Sequence, residues 1–151
     1  MPVKQLKAFL DNNHVKYVSI VHSRAYTASE IAQSAHIPGK EMAKTVMVKI
    51  DGKMAMVVLP APLQVNFEQL KKQLGANTVE LATEREFQDM FPECEVGAMP
   101  PFGNLYGMDV YMSKRLAEDK EITFNAGSHT ELIKLLYKDF ERLASPKIVD
   151  F

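Results

Sequence analysis

The segment running through residues 45–59 constrains this chain most. Residues 45–50 alternate with a β-branched bias, Asp51-Gly52 follows, and residues 53–59 are apolar. An Asp-Gly pair between two such runs suits a two-residue turn in which both residues take positive φ, and that turn matches the twist of paired strands. The pattern predicts strand, type I′ turn, strand, closed by Pro60 and Pro62. The rest of the chain must supply partners for a hairpin that apolar.

The flanking sequence supplies both helices and strands. Leu6, Phe9 and Leu10 recur at helical spacing and predict a helix over 3–13, ended by Asn12 and Asn13. Val15, Tyr17, Ile20 and Val21 predict a strand leading to His22. Thr27 and Glu30 form a capping-box pair that opens a helix over 28–36, broken by Pro38-Gly39. Asn66 is placed to cap a helix carrying Phe67, Leu70, Lys71 and Leu74, with Gly75 as its stop. A short strand over 79–81 follows. Thr83 with Glu86 opens a further helix through Phe87 and Met90. Residues 92–107 hold three prolines and three glycines and are read as irregular. Strands are expected over 110–112 and 122–124, a turn or loop over 125–129, a strand over 131–136, a helix over 138–143 and a last strand at 148–149. Strands and helices mix without a βαβ repeat, so we expect one α+β domain over residues 1–151, with a mixed, curved sheet flanked by helices.

Composition narrows the function classes. The 151 residues carry a formal net charge of -1, with a pI near 6.4. That balance excludes a coat for duplex nucleic acid and leaves room for a local contact with a strand end. The single cysteine, Cys94, rules out an intrachain disulfide and fits a reducing compartment. The N-terminal residues lack the apolar run of a signal peptide, and no stretch has the roughly 20 apolar residues of a membrane span. A cytoplasmic location is the expectation.

Three segments can carry chemistry. The first is the 97–103 loop: Gly97, Ala98, Met99, Pro100, Pro101, Phe102 and Gly103. Its prolines stiffen the backbone and remove two N–H groups, and the remaining N–H groups form a rigid set of donors suited to an oxyanion. The same composition equally describes a structural loop that packs Phe102 into the core. The second is Asn125, Ala126, Gly127, Ser128 and His129, small and polar groups following a strand. His129 reads either as an acid or base or as a hydrogen-bonded structural histidine. The third is Lys44, at the start of the hairpin, which can reach a phosphate or a developing negative charge, or can be a surface lysine. The histidines show no metal-ligand spacing, and Cys94 lies between Glu93 and Glu95, where carboxylates raise a thiol pKa.

In order and spacing, these pieces resemble the YbaK/prolyl-tRNA synthetase-associated domain family. The resemblance runs from about His22 to the C-terminus. It covers His22 before a Ser-Glu-Ile-Ala segment, Lys44-Thr45-Val46, the Asp51-Gly52 hairpin, Gly75-Ala76, the 97–103 loop, and Phe124 followed by Asn125, Ala126, Gly127 and Ser128. It implies a barrel-like sheet and hydrolysis of the ester joining a wrong amino acid to tRNA, without a cofactor or metal. It implies catalytic roles for Lys44 and for the backbone of Gly97, Ala98 and Met99. It places His22, Tyr26, Thr45, Pro100, Pro101, Phe102, Gly103, Asn125, Ala126, Gly127, Ser128 and His129 around the substrate. Gly97 and Pro101 fall on the family's GxxxP-type loop. Pro100 stands where the family often has serine or threonine, and Asn125 stands where it usually has the first glycine of Gly-Ala-Gly-Ser. The implied partners are the acceptor end of a mischarged tRNA carrying a small amino acid, such as alanine, serine or cysteine, and an aminoacyl-tRNA synthetase. Two alternatives remain at this point: a non-catalytic module that binds the acceptor end, and a different hydrolase using His129 or His22 as base.

Overall fold

The computed structural model describes residues 2–21, 39–91, 94–95 and 98–150. The helix expected over 28–36, with its Thr27–Glu30 capping box, lies outside the described residues, as do His22, Tyr26 and Gly97.

The hairpin forms as read. Strand β2 (Ala43–Ile50) pairs antiparallel with β3 (Lys53–Pro60), following β1 (Tyr17–Val21) in the chain. Asp51 and Gly52 take φ of 50° and 81°, the two positive values a type I′ turn needs. The Asp51 carboxylate also accepts the N–H groups of Asn77 at 2.8 Å and Thr78 at 2.9 Å. That clamp holds the tip of the hairpin to the segment entering β4 (Val79–Leu81), which pairs antiparallel with β2. On the other side β3 pairs parallel with β5 (Asp109–Ser113), and β5 pairs parallel with β8 (Lys147–Val149). The five-stranded order is β4-β2-β3-β5-β8.

Strand β3 is apolar along most of its length because both of its faces are covered. Met56 and Val58 enter the main core, whereas Ala55, Val57 and Leu59 pack beneath Leu70. Leu70 belongs to α2 (Phe67–Leu74), which follows α1 (Pro2–Asn12). Asn66 caps α2 by accepting the Gln69 N–H at 3.0 Å, and Gly75 ends it at φ 62°. Thr83 and Glu86 make both bonds of a capping box at the start of the short helix α3 (Glu84–Phe87).

A second, three-stranded antiparallel sheet has the order β1-β7-β6, where β6 is Glu121–Ser128 and β7 is Glu131–Leu136. The main core lies against both sheets. It gathers Leu6 and Leu10 of α1, Met47, Met56 and Val110, then Phe124 and Ile133, and Phe140 of α5 (Tyr137–Ala144). A four-residue helix, α4 (Lys114–Ala117), continues from β5, with Ser113 accepting the Arg115 N–H. The two sheets touch at one parallel bridge, Met42 to Thr123. They are not closed into the single barrel-like sheet that the family resemblance implied; the α+β class and the mixed pairing are as expected. The expected loop over 125–129 is instead strand up to Ser128, with a register shift between Asn125 and Ser128, because β7 returns immediately and holds the segment in a ladder. No helix among the described residues is long and apolar enough to cross a membrane.

Candidate active site

The bridge between the sheets organises the site. It sets Met42 beside Thr123 in parallel register; counted on from that single bridge, Ala43 comes level with Phe124 and Lys44 with Asn125, without a further ladder pair among the described residues. Ala43 and Phe124 both enter the main core. Side chains alternate along a strand, so Lys44 and Asn125 turn together to the opposite face. Lys44 is half-buried and its side chain has no ion pair or hydrogen bond among the described residues, and burial lowers the pKa of its ammonium. Asn125 is 6% exposed, and its side-chain carbonyl oxygen is buried without a hydrogen-bond partner among the described residues. An unpaired cation and an orphaned acceptor each cost stability, and groups of that kind concentrate at functional sites.

The loop is stitched to β6 beside this pair. Glu95 donates its N–H to Gly127 O at 2.9 Å, Gly127 donates to Ala98 O at 2.9 Å, and Ala98 donates to Glu95 O at 3.0 Å. Gly127 sits at φ 104°, which side chains rarely adopt, so glycine permits the bulge that makes these bonds. The Glu95 carboxylate accepts the His129 N–H at 3.0 Å and lies 3.8 Å from the His129 ring nitrogen Nε2. Sequence reading missed Glu95 as part of the site; its only signal was an acidic residue just ahead of the glycine loop.

This geometry sorts the expected site residues. The N–H groups of Ala98 and Gly127 are consumed by the stitching, so neither is a free oxyanion donor. Met99 is buried, and its N–H, like that of Phe102, makes no hydrogen bond among the described residues. Pro100 and Pro101 are buried and have no N–H to offer. Phe102 is fully buried and makes edge contacts with Phe9, Phe124 and Phe140 at 5.8, 5.6 and 5.2 Å between ring centres. It is a core residue and shapes the loop from behind. Gly103 also serves packing: a Cβ there would come within 2.6 Å of Met108 O and 2.7 Å of a Val110 methyl. Thr45 and Ala126 share parity with Ala43 and Phe124, so their side chains leave the Lys44 face. Ser128 accepts the Thr130 N–H at 3.4 Å and its hydroxyl lies 3.3 Å from that of Thr130, which shapes the turn after β6. His129 is 5% exposed and tied to Glu95, in keeping with the structural reading of that histidine.

Comparison with known proteins identifies the family. The family model described as "Aminoacyl-tRNA editing domain" matches residues 22–143. The chain belongs to the aminoacyl-tRNA editing domain family. It is 25% identical over 153 residues to the multifunctional Ser/Thr-tRNA deacylase ProXp-y of Escherichia coli strain K12, covering 98% of this chain and 91% of that protein. It is 29% identical over 132 residues to the proline–tRNA ligase of Leuconostoc citreum strain KM20, covering 83% of this chain and 22% of the ligase. Among solved structures, one provisionally assigned as a trans-editing enzyme for prolyl tRNA synthetase superposes with a TM-score of 0.83 over 99% of this chain and 95% of its own, at 18% identity. That likeness shows the shared fold.

Proposed function

We propose that the chain hydrolyses the ester of a mischarged aminoacyl-tRNA in trans, and that Lys44, Asn125 and the Met99 N–H form its working centre. The observation that carries the reading is that Lys44 and Asn125 share one face by strand parity from the Met42–Thr123 bridge, each with a side chain that lacks a partner among the described residues. An aminoacyl ester is already activated, so attack by water needs positioning and oxyanion stabilisation rather than a protein nucleophile. The Lys44 ammonium holds the terminal phosphate of the acceptor end or orients the ester. The Asn125 side-chain oxygen accepts a hydrogen bond from the α-ammonium group of the amino acid. The Met99 N–H donates to the oxyanion. The substrate's own ribose hydroxyl assists the proton transfer, which fits a centre without an evident general base.

The substrate carries a small side chain. A synthetase pocket discriminates against a missing methylene by only about 1–3 kcal/mol, so a second, hydrolytic site restores accuracy. Among small amino acids, the relative named a Ser/Thr-tRNA deacylase puts serine and threonine first. We assign the protein to the cytoplasm, with residues 1–151 as one domain acting on tRNA beside a synthetase. The test is a deacylation panel with Ala-, Ser-, Cys-, Thr- and Pro-tRNA, using wild type, Lys44→Ala and Asn125→Leu. Release of one small amino acid, lost with Lys44→Ala and weakened in KM with Asn125→Leu, is the expected result. Undiminished hydrolysis by Lys44→Ala removes the proposed centre. Binding of tRNA without any hydrolysis selects the acceptor-end binding module instead.

A further inference from the structure

A cleft of about 490 Å³ opens at the end of the β2–β3 hairpin, next to the proposed centre. Its wall includes Pro60, which pairs with Ala43, the neighbour of Lys44. Three cations converge on it, Lys40, Lys114 and Arg115, in a chain whose net charge is -1. Neither Lys40 nor Arg115 has an ion pair among the described residues. Lys114 pairs with Asp150 at 2.6 Å, with the two side chains 53% and 68% exposed. A surface pair of that kind contributes little and yields readily to a better anion. Pro62 and Leu63 add an apolar wall.

The cleft also holds an acceptor. One Asp119 carboxylate oxygen, Oδ2, is buried and has no hydrogen-bond partner among the described residues. Burial, with Glu41 nearby, raises the pKa of that carboxyl, and Lys40 opposes the shift; Glu118, also on the wall, raises it further. A site for inorganic anions alone would not place a carboxylate there. Cations, an apolar wall and one orphaned acceptor together match a unit that offers a phosphate, a flat face and a hydroxyl. A second cleft of about 420 Å³ shares Leu63, Lys114 and Arg115 and adds Gln64 and Gln69, so the groove continues for further backbone.

We propose that this groove takes the single-stranded 3′ arm of the tRNA, with a phosphate on Lys40, Lys114 and Arg115, a base against Pro62 and Leu63, and a ribose 2′-hydroxyl donating to Asp119. The inference rests on the editing function and supplies its tRNA contact. A concave, locally basic groove on a nearly neutral protein suits a single strand, whose bases and hydroxyls are free, better than a duplex.

The test measures equilibrium binding of a short single-stranded RNA ending in CCA, its DNA counterpart and a blunt RNA duplex. Arg115→Glu is compared with Lys53→Glu, an equal charge change at the exposed far end of the hairpin. Arg115→Glu is expected to weaken single-strand binding about tenfold and to flatten its salt dependence by about 0.7 in log–log slope, the loss of one phosphate contact. Lys53→Glu is expected to leave binding unchanged, and thermal melts of both variants check the fold. Asp119→Ala is expected to reduce the preference for RNA over DNA. Equal effects of the two charge reversals, equal binding of the duplex, or an unchanged RNA preference in Asp119→Ala would each overturn the proposal. Loss of the groove's effect while deacylation persists refutes this inference alone. Absence of deacylation while Arg115 still governs RNA binding refutes the editing centre and leaves the groove standing.

Discussion

Phe102→Leu separates a core residue from a pocket wall. The ring is fully buried and meets three others edge-on at 5.2 to 5.8 Å. Leucine keeps much of the apolar burial but loses the ring contacts, each worth about 0.5–1.5 kcal/mol beyond area. Three such contacts, partly recovered by repacking, give a loss of about 2–3 kcal/mol. For a domain of this size each kcal/mol moves Tm by roughly 2–4 °C, so the expected fall is about 5–10 °C. The assay is thermal unfolding followed by circular dichroism, alongside KM for the preferred aminoacyl-tRNA at a temperature well below both melts. KM is expected to change little, because the ring lies behind the loop. A Tm within about 1 °C of wild type, together with a severalfold change in KM, would refute the reasoning and return Phe102 to the substrate.

Lys44→Met is expected to abolish deacylation and to stabilise the fold slightly at pH 7, as substitutions that relieve a functional site commonly do. Burial lowers the folded-state pKa of Lys44, so its penalty is fully present below that pKa and fades as pH rises towards the unfolded value; urea melts at pH 7 and pH 10 should show the gap closing. Gly127→Ala forces a side chain onto φ 104° and should cost about 1–3 kcal/mol; because it disturbs the bonds to Glu95 and Ala98, kcat should fall more than KM. Glu86 is held down to about 2, first by its bond from Lys49 and then by Thr83, so its contribution is present above about pH 4.5 and is lost as pH falls through 2. Glu86→Gln should therefore flatten the acid limb of the stability profile in that window, and a slope equal to wild type would argue against the pairing.

Local chemistry was legible wherever a short segment decides its own conformation. Asp51-Gly52, the Asn66 and Gly75 caps and the Thr83–Glu86 box all appear where the residues predicted them, because turns and caps are settled by neighbours within four positions. The continuation of β6 through Asn125 and Ser128 was not legible. Its small and polar residues look like a loop, and only the return of β7 makes them a strand. The parity that joins Lys44 to Asn125 and separates both from Thr45 depends on a bridge between residues 81 positions apart, which no local pattern encodes. The same reason hid the groove: Lys40 and Arg115 are ordinary surface residues in sequence and become neighbours only when α4 meets the end of the hairpin.

On the proposed centre, the Met42–Thr123 bridge also decides when the protein can act. Lys44 and Asn125 belong to different sheets, and each sheet can be imagined forming before the other. Until that seam closes, the ammonium and the amide are carried on unconnected surfaces, and neither alone can grip an ester. Closing it is a long-range event of the kind that slows folding. On that assignment a nascent or partly unfolded chain is expected to be inert towards correctly charged tRNA, with hydrolysis appearing only in the completed molecule.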